Sequence, residues 1–73
     1  MEDDQVKVRG IIGKKIKEAR EALNLTQNDL AAKAGVNVNY FAMIERGEVN
    51  FSFDKLLRII KALKIKSSQI LPF

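Results

Sequence analysis

Residues 26–47 read TQNDLAAKAGVNVNYFAMIERG, and the punctuation of this stretch is that of two short helices joined by a tight turn. Thr26 is placed to cap the first of them. Asp29, three residues on, makes a capping box with Asp in place of the usual Glu. Leu30, Ala31 and Ala34 fall on one face, and Ala31 is small enough for a second helix to cross close above it. Gly35 ends this helix and permits the positive φ that a sharp turn needs. Val36 follows as an apolar plug. Asn37 caps the next helix, which is expected to run through Arg46, with Phe41 and Ile44 inward and Gly47 as its stop.

The flanking sequence is helical as well, with no sustained period-2 alternation to mark a strand. A first helix is expected from about Val8 to Leu23. Ile12, Ile16, Ala19 and Leu23 form its apolar stripe and Asn24 its left-handed cap. Gly10 and Gly13 lower its helix propensity near the start. Ser52 caps a fourth helix in which Phe53, Leu56, Ile59, Ile60 and Leu63 face the core. Ser67 or Ser68 caps a short fifth helix carrying Ile70 and Leu71. The expectation is an all-α, compact five-helix bundle. Residues 1–8 form a flexible acidic N-terminal tail, and residues 9–73 form one domain.

Composition narrows the chemistry. The 73 residues contain no Cys and no His, which excludes disulfides, thiolate metal sites and His-based acid–base catalysis. No metal, cofactor or enzymatic activity is expected. Thirteen basic residues against nine acidic ones give +4. Glu2, Asp3 and Asp4 open the chain. Without residues 1–4, thirteen bases face six acids, so the body carries +7. A small basic domain without reactive side chains points to an acidic partner. No apolar run approaches the roughly 18 residues that span a bilayer. The acidic start is unlike a signal peptide, and a cytoplasmic protein is expected.

Two helices set at an angle by a glycine turn hold the second one out from the body, where it fits a DNA major groove. Here LTQNDLAAKAGVNVNYFAMIERG, residues 25–47, resembles the helix-turn-helix of the Cro/phage-repressor (XRE) family. The resemblance rests on Leu25-Thr26-Gln27, Leu30-Ala31, Ala34-Gly35-Val36 and Ile44-Glu45-Arg46-Gly47, in that order and spacing. SFDKLLRIIKALKI, residues 52–65, is similar to the family's fourth helix. NYFAMIERG followed by Asn50-Phe51-Ser52 looks most like restriction–modification controller proteins.

The resemblance implies double-stranded DNA as partner and transcriptional regulation as function. It implies a structural ion pair between Arg20 and Glu45. It also implies base reading from Val38, Asn39, Ala42 and Met43. These positions depart from the family's usual Arg, Gln or Ser, since three of the four are apolar. Asn39 is suited to adenine, and the apolar three to thymine methyls. Phosphate contacts are expected from Gln27, Asn37, Tyr40, Arg46 and Asn50. Family members commonly bind as two-fold dimers, so a palindromic operator is expected. A C-terminal homodimer patch of Leu57, Ile65, Ile70, Leu71 and Phe73 goes with it, with part of this set, Ile65 foremost and then Ile70, needed for the monomer core. The competing class is an antitoxin-like or other protein-interaction module, whose protein partner would cover the apolar side of the same helix.

Overall fold

The computed structural model describes residues 2–50, 52–64 and 70. Four helices are present among them: α1 (Glu2–Ala22), α2 (Gln27–Ala34), α3 (Val38–Glu45) and α4 (Phe53–Leu63). The expected five-helix count is therefore corrected to four described helices and no strand. The segment expected to form a fifth lies, apart from Ile70, outside the described residues.

α1 begins at Glu2, six residues before the expected start at Val8, so residues 2–8 are helical. Asp4 lies in the first turn, where the helix dipole favours a negative charge. Val8 and Arg9 are half-buried, which anchors this N-terminal half to the body. The other boundaries follow their local signals. Asn24 adopts φ 57° after α1, and Gly35 adopts φ 71° after α2. The Thr26 hydroxyl accepts from the Asp29 N–H at 3.0 Å, and the Asp29 carboxylate accepts from the Thr26 N–H at 3.0 Å. These bonds from Thr26 hold the Asp29 carboxyl below the ordinary carboxylate range. Asn37 Oδ1 accepts from the Asn39 and Tyr40 amides at 2.8 and 3.2 Å. Ser52 Oγ accepts from the Lys55 N–H at 3.1 Å.

Ile12 and Ile16 of α1 pack with Leu30, Ala31 and Ala34 of α2, Phe41 and Ile44 of α3, and Leu56, Ile59, Ile60 and Leu63 of α4. Ile70 completes this core at 1% exposure. It is thus buried within a single chain and is not available to the expected dimer patch. Two other residues leave their expected places. Leu23 is 50% exposed because α1 stops at Ala22 and the next turn swings it out of register. The place one turn beyond Ile16 is filled by Arg20. Phe53 is 70% exposed. Helical side chains lean toward the helix N-terminus, so a residue in the first position projects past the edge of the core.

Arg20 and Glu45 form the expected ion pair, both buried. Arg20 Nε donates to Glu45 Oε2 at 2.7 Å and Nη2 to Oε1 at 3.2 Å. Nη1 donates to the Leu25 carbonyl at 2.8 Å, and Gln27 Nε2 donates to Glu45 Oε1 at 2.9 Å. The hydrogen bonds to Glu45 raise the Arg20 pKa above its ordinary value, against the opposing effect of burial.

α1 approaches the end of α3 through glycine. A Cβ on Gly13 would collide with the Ile44 carbonyl and stand 2.6 Å from that of Glu45. A Cβ on Gly47 would stand 2.9 Å from Gly10 Cα. By contrast, a Cβ on Gly10 meets nothing within 4 Å.

Four substitutions have expected effects on stability, each measured by thermal or urea denaturation. Gly10→Ala stabilises by about 0.5–1 kcal/mol, while Gly13→Ala destabilises by about 1–3 kcal/mol through overpacking against backbone. Glu45→Ala costs about 3–5 kcal/mol because it strands Arg20; an unchanged melting temperature would sink this account of the pair. For Asp29 the folded pKa is depressed. Its contribution is therefore present above the unfolded pKa and lost as pH falls through the folded one. Asp29→Asn is expected to be less stable than the parent at neutral pH, with the gap closing at strongly acid pH.

Candidate nucleic-acid interface

The capped turn at Gly35 and the buried pair at Glu45 fix α3 at both ends, and the side of α3 away from Phe41 and Ile44 is left open. Asn37 and Asn39 are exposed on it, as is Arg46 at its end. Val38, Ala42 and Met43 are half-buried, and Val38 packs partly against the core. The four expected base-reading positions thus lie together along one helix. Only Asn39 among them offers hydrogen-bonding groups in the open.

The expected phosphate ligands divide by how far their groups are already committed. Gln27 gives one amide donor to Glu45, so its side chain is held at the start of α2. Asn37 uses its oxygen as the helix cap, which leaves its amide nitrogen as a free donor. Arg46 pairs with Glu48 at 3.0 Å, but both are exposed, and such a pair is weak enough to open for a phosphate. The Tyr40 ring packs against the core. Its hydroxyl donates to the Asn50 carbonyl at 3.5 Å, and Lys55 Nζ lies 4.3 Å from the ring centroid. Asn50 is exposed, and its side-chain oxygen accepts from Arg9 Nη1.

Arg9 and Lys55 were not among the residues expected to form this surface. No local pattern couples residue 9 to residue 50, which are 41 positions apart. Lys55 reads from sequence as one of several solvated cations on α4. Of the expected dimer patch, Leu57 is half-buried, Ile70 is in the core, and Ile65, Leu71 and Phe73 lie outside the described residues. Among the described residues no group of His, Cys, Asp and Glu is arranged to hold a metal ion, and no helix is long and apolar enough to cross a membrane.

Relatives agree with this geometry. A family model described as Helix-turn-helix matches residues 16–70. Control protein C.BamHI of Bacillus amyloliquefaciens is 33% identical over 67 residues, covering 90% of this chain and 83% of that protein. The crystal structure of the restriction–modification controller protein C.AhdI from Aeromonas hydrophila matches with a TM-score of 0.83 at 30% identity, over 86% of this chain and 96% of that one. With its glycine turn, its capped α3 and relatives of this kind, the chain belongs to the XRE-type helix-turn-helix family of DNA-binding transcription regulators.

Proposed function

We propose that this chain is a sequence-specific regulator that binds double-stranded DNA as a homodimer, with α3 of each protomer in a major groove. The observation that carries the reading is the buried Arg20–Glu45 pair. It sets α3 rigidly against α1 while Asn37, Asn39 and Arg46 stay open to a ligand. Asn39 reads adenine through its amide, and Val38, Ala42 and Met43 pack on thymine methyls. Gln27, Asn37, Arg46 and Asn50 meet phosphates on either side and set the register without reading sequence, while the Tyr40 hydroxyl, spent on the Asn50 carbonyl, steadies that loop instead of meeting a phosphate itself. On this reading the chain acts in the cytoplasm, at a promoter.

One such unit reads only a few base pairs, so two are needed for a useful site. With Ile70 assigned to the core, Leu57, Ile65, Leu71 and Phe73 remain as the dimer patch. Truncation after Ser68 is therefore a poor probe of dimerisation, because it removes a core side chain. The protein-module reading draws on the apolar side of α3. Because Val38, Ala42 and Met43 are only half open, the apolar area they offer a partner is small.

Selection of bound duplexes from a random library tests the proposal. The expected product is a palindrome whose half-sites lie about 34–36 Å apart, one turn of duplex. Asn39→Ala should then cost about 1–3 kcal/mol in binding and relax the preference for adenine at one position per half-site. A library returned without enrichment, together with a single stoichiometric protein partner in a pull-down, would move the assignment to an interaction module.

A further inference from the structure

Arg9 lies ahead of the residues matched by the family model, on the N-terminal half of α1. It nevertheless reaches the loop after α3, where its Nη1 donates to Asn50 Oδ1. An arginine carries only donors, so the atom of Asn50 that faces it must be the carbonyl oxygen. That fixes the amide. Its oxygen is committed to Arg9, and its NH2 is turned the other way. The backbone carbonyl of Asn50 is also taken, by the Tyr40 hydroxyl at 3.5 Å. Both of the acceptors of Asn50 are thereby occupied, and what the exposed residue presents outward is a donor group.

Charge points the same way. Arg9 is half-buried, and its Nε is shielded with no hydrogen-bond partner. Among the described residues no carboxylate comes within ion-pair distance of it. Lys55 Nζ stands over the Tyr40 ring, whose hydroxyl meets the Asn50 carbonyl. Asp4 and Gln5 line the cleft beside Arg9 and Asn50, but a partly desolvated guanidinium without an ion pair, an ammonium and an outward amide together still favour an anion next to α3.

We propose that Arg9 is a positioning residue for one phosphate of the DNA backbone. It locks the Asn50 side chain so that Nδ2 donates to that phosphate, with Lys55 adding positive charge beside it. The inference rests on the DNA-binding reading above, and it extends the interface to a residue outside the helix-turn-helix. Arg9 acts through Asn50 and reads no base. Its effect should be confined to a single phosphate.

The test uses the full chain and a duplex enriched in the selection above, in versions carrying one methylphosphonate at each backbone position in turn. The parent should lose roughly tenfold in affinity when the phosphate opposite Asn50 is neutralised. Asn50→Ala and Arg9→Met should each bind the unmodified duplex roughly tenfold more weakly and lose nothing further at that position. The double variant should be no worse than either one, and Arg9→Lys should recover part of the loss. Asn50→Asp keeps the acceptor for Arg9 but removes the outward donor. It should bind at least as poorly as Asn50→Ala while melting like the parent. The proposal is overturned if Arg9→Met binds like the parent, if it retains the full penalty at that phosphate, or if it weakens contacts at all phosphates alike. It is equally overturned if Asn50→Asp binds normally, which decides the matter even where Arg9→Met fails to fold. A selection that enriches no duplex removes the DNA-binding reading and this one together. Enrichment followed by any of the other failures removes this one alone.

Discussion

The buried pair of Arg20 and Glu45 is the constraint on which the rest of the molecule depends, because it joins the N-terminal helix to the end of α3. Each hydrogen-bonding group on both side chains that points into the protein is committed. Glu45 receives Arg20 Nε and Nη2 and the Gln27 amide, while Arg20 Nη1 goes to the Leu25 carbonyl. Such a pair contributes little net stability compared with apolar side chains of the same volume, since both charges leave water. Its force is conditional. If α3 rotates or slides, a charge is left buried without its partner, at a cost of several kcal/mol. The pair therefore acts as a pin on the orientation of α3. It reaches α2 as well, through Gln27, so three helices share one polar junction.

A pin of this kind needs the helices close enough for a short bidentate contact, and the glycines supply that. Gly13 lets α1 lie against the last carbonyls of α3, and Gly47 lets the chain turn away beside Gly10. The same seam explains why α1 is longer than its propensity suggests. Once Gly13 is seated on α3, the preceding turns run on beside the loop after α3. There Val8 and Arg9 gain contacts that offset the helix-weakening effect of Gly10. For a domain with no disulfide and, among the described residues, a core of a dozen apolar side chains, close backbone approach of this sort substitutes for bulk.

What could be read from the sequence followed the range of the forces involved. Helix caps and glycine turns are decided within about four residues, so Thr26, Gly35, Asn37, Gly47 and Ser52 all act as their local context indicates. The middles of the apolar stripes are equally legible, since Ile12, Ile16, Phe41, Ile44, Ile59 and Leu63 are all core. The ends of the stripes are not. Leu23 and Phe53 continue the periodicity in sequence, but one lies just past the end of its own helix and the other at the first position of its own, and periodicity carries no information on where a helix ends. Ile70 shows the converse. A C-terminal apolar residue that periodicity leaves open between core and dimer patch is in the core. The link from Arg20 to Glu45 was legible only through family resemblance, and that from Arg9 to Asn50 not at all, because both are made by topology.

The chemistry of α3 explains why such distant links matter to function on the proposed reading. An Asn–adenine contact discriminates by about 1–3 kcal/mol, and two protomers supply two of them. Specific sites exceed non-specific DNA by about 4–10 kcal/mol. In that case Asn39 alone falls short over most of that range, and Val38, Ala42 and Met43, half-buried and without donors, would add only small apolar preferences. The remainder has to come from the shape of the duplex, which a protein senses by asking whether its backbone contacts can all be met at once. That form of reading demands rigid anchors. A loosely hung side chain follows a displaced phosphate and loses the distinction between one duplex shape and another. Asn50 with both acceptors committed, and Gln27 tied into the Arg20–Glu45 junction, are anchors with little freedom to follow. In a protein with so few base-reading groups, stiffness in the parts that touch no base is itself a source of specificity.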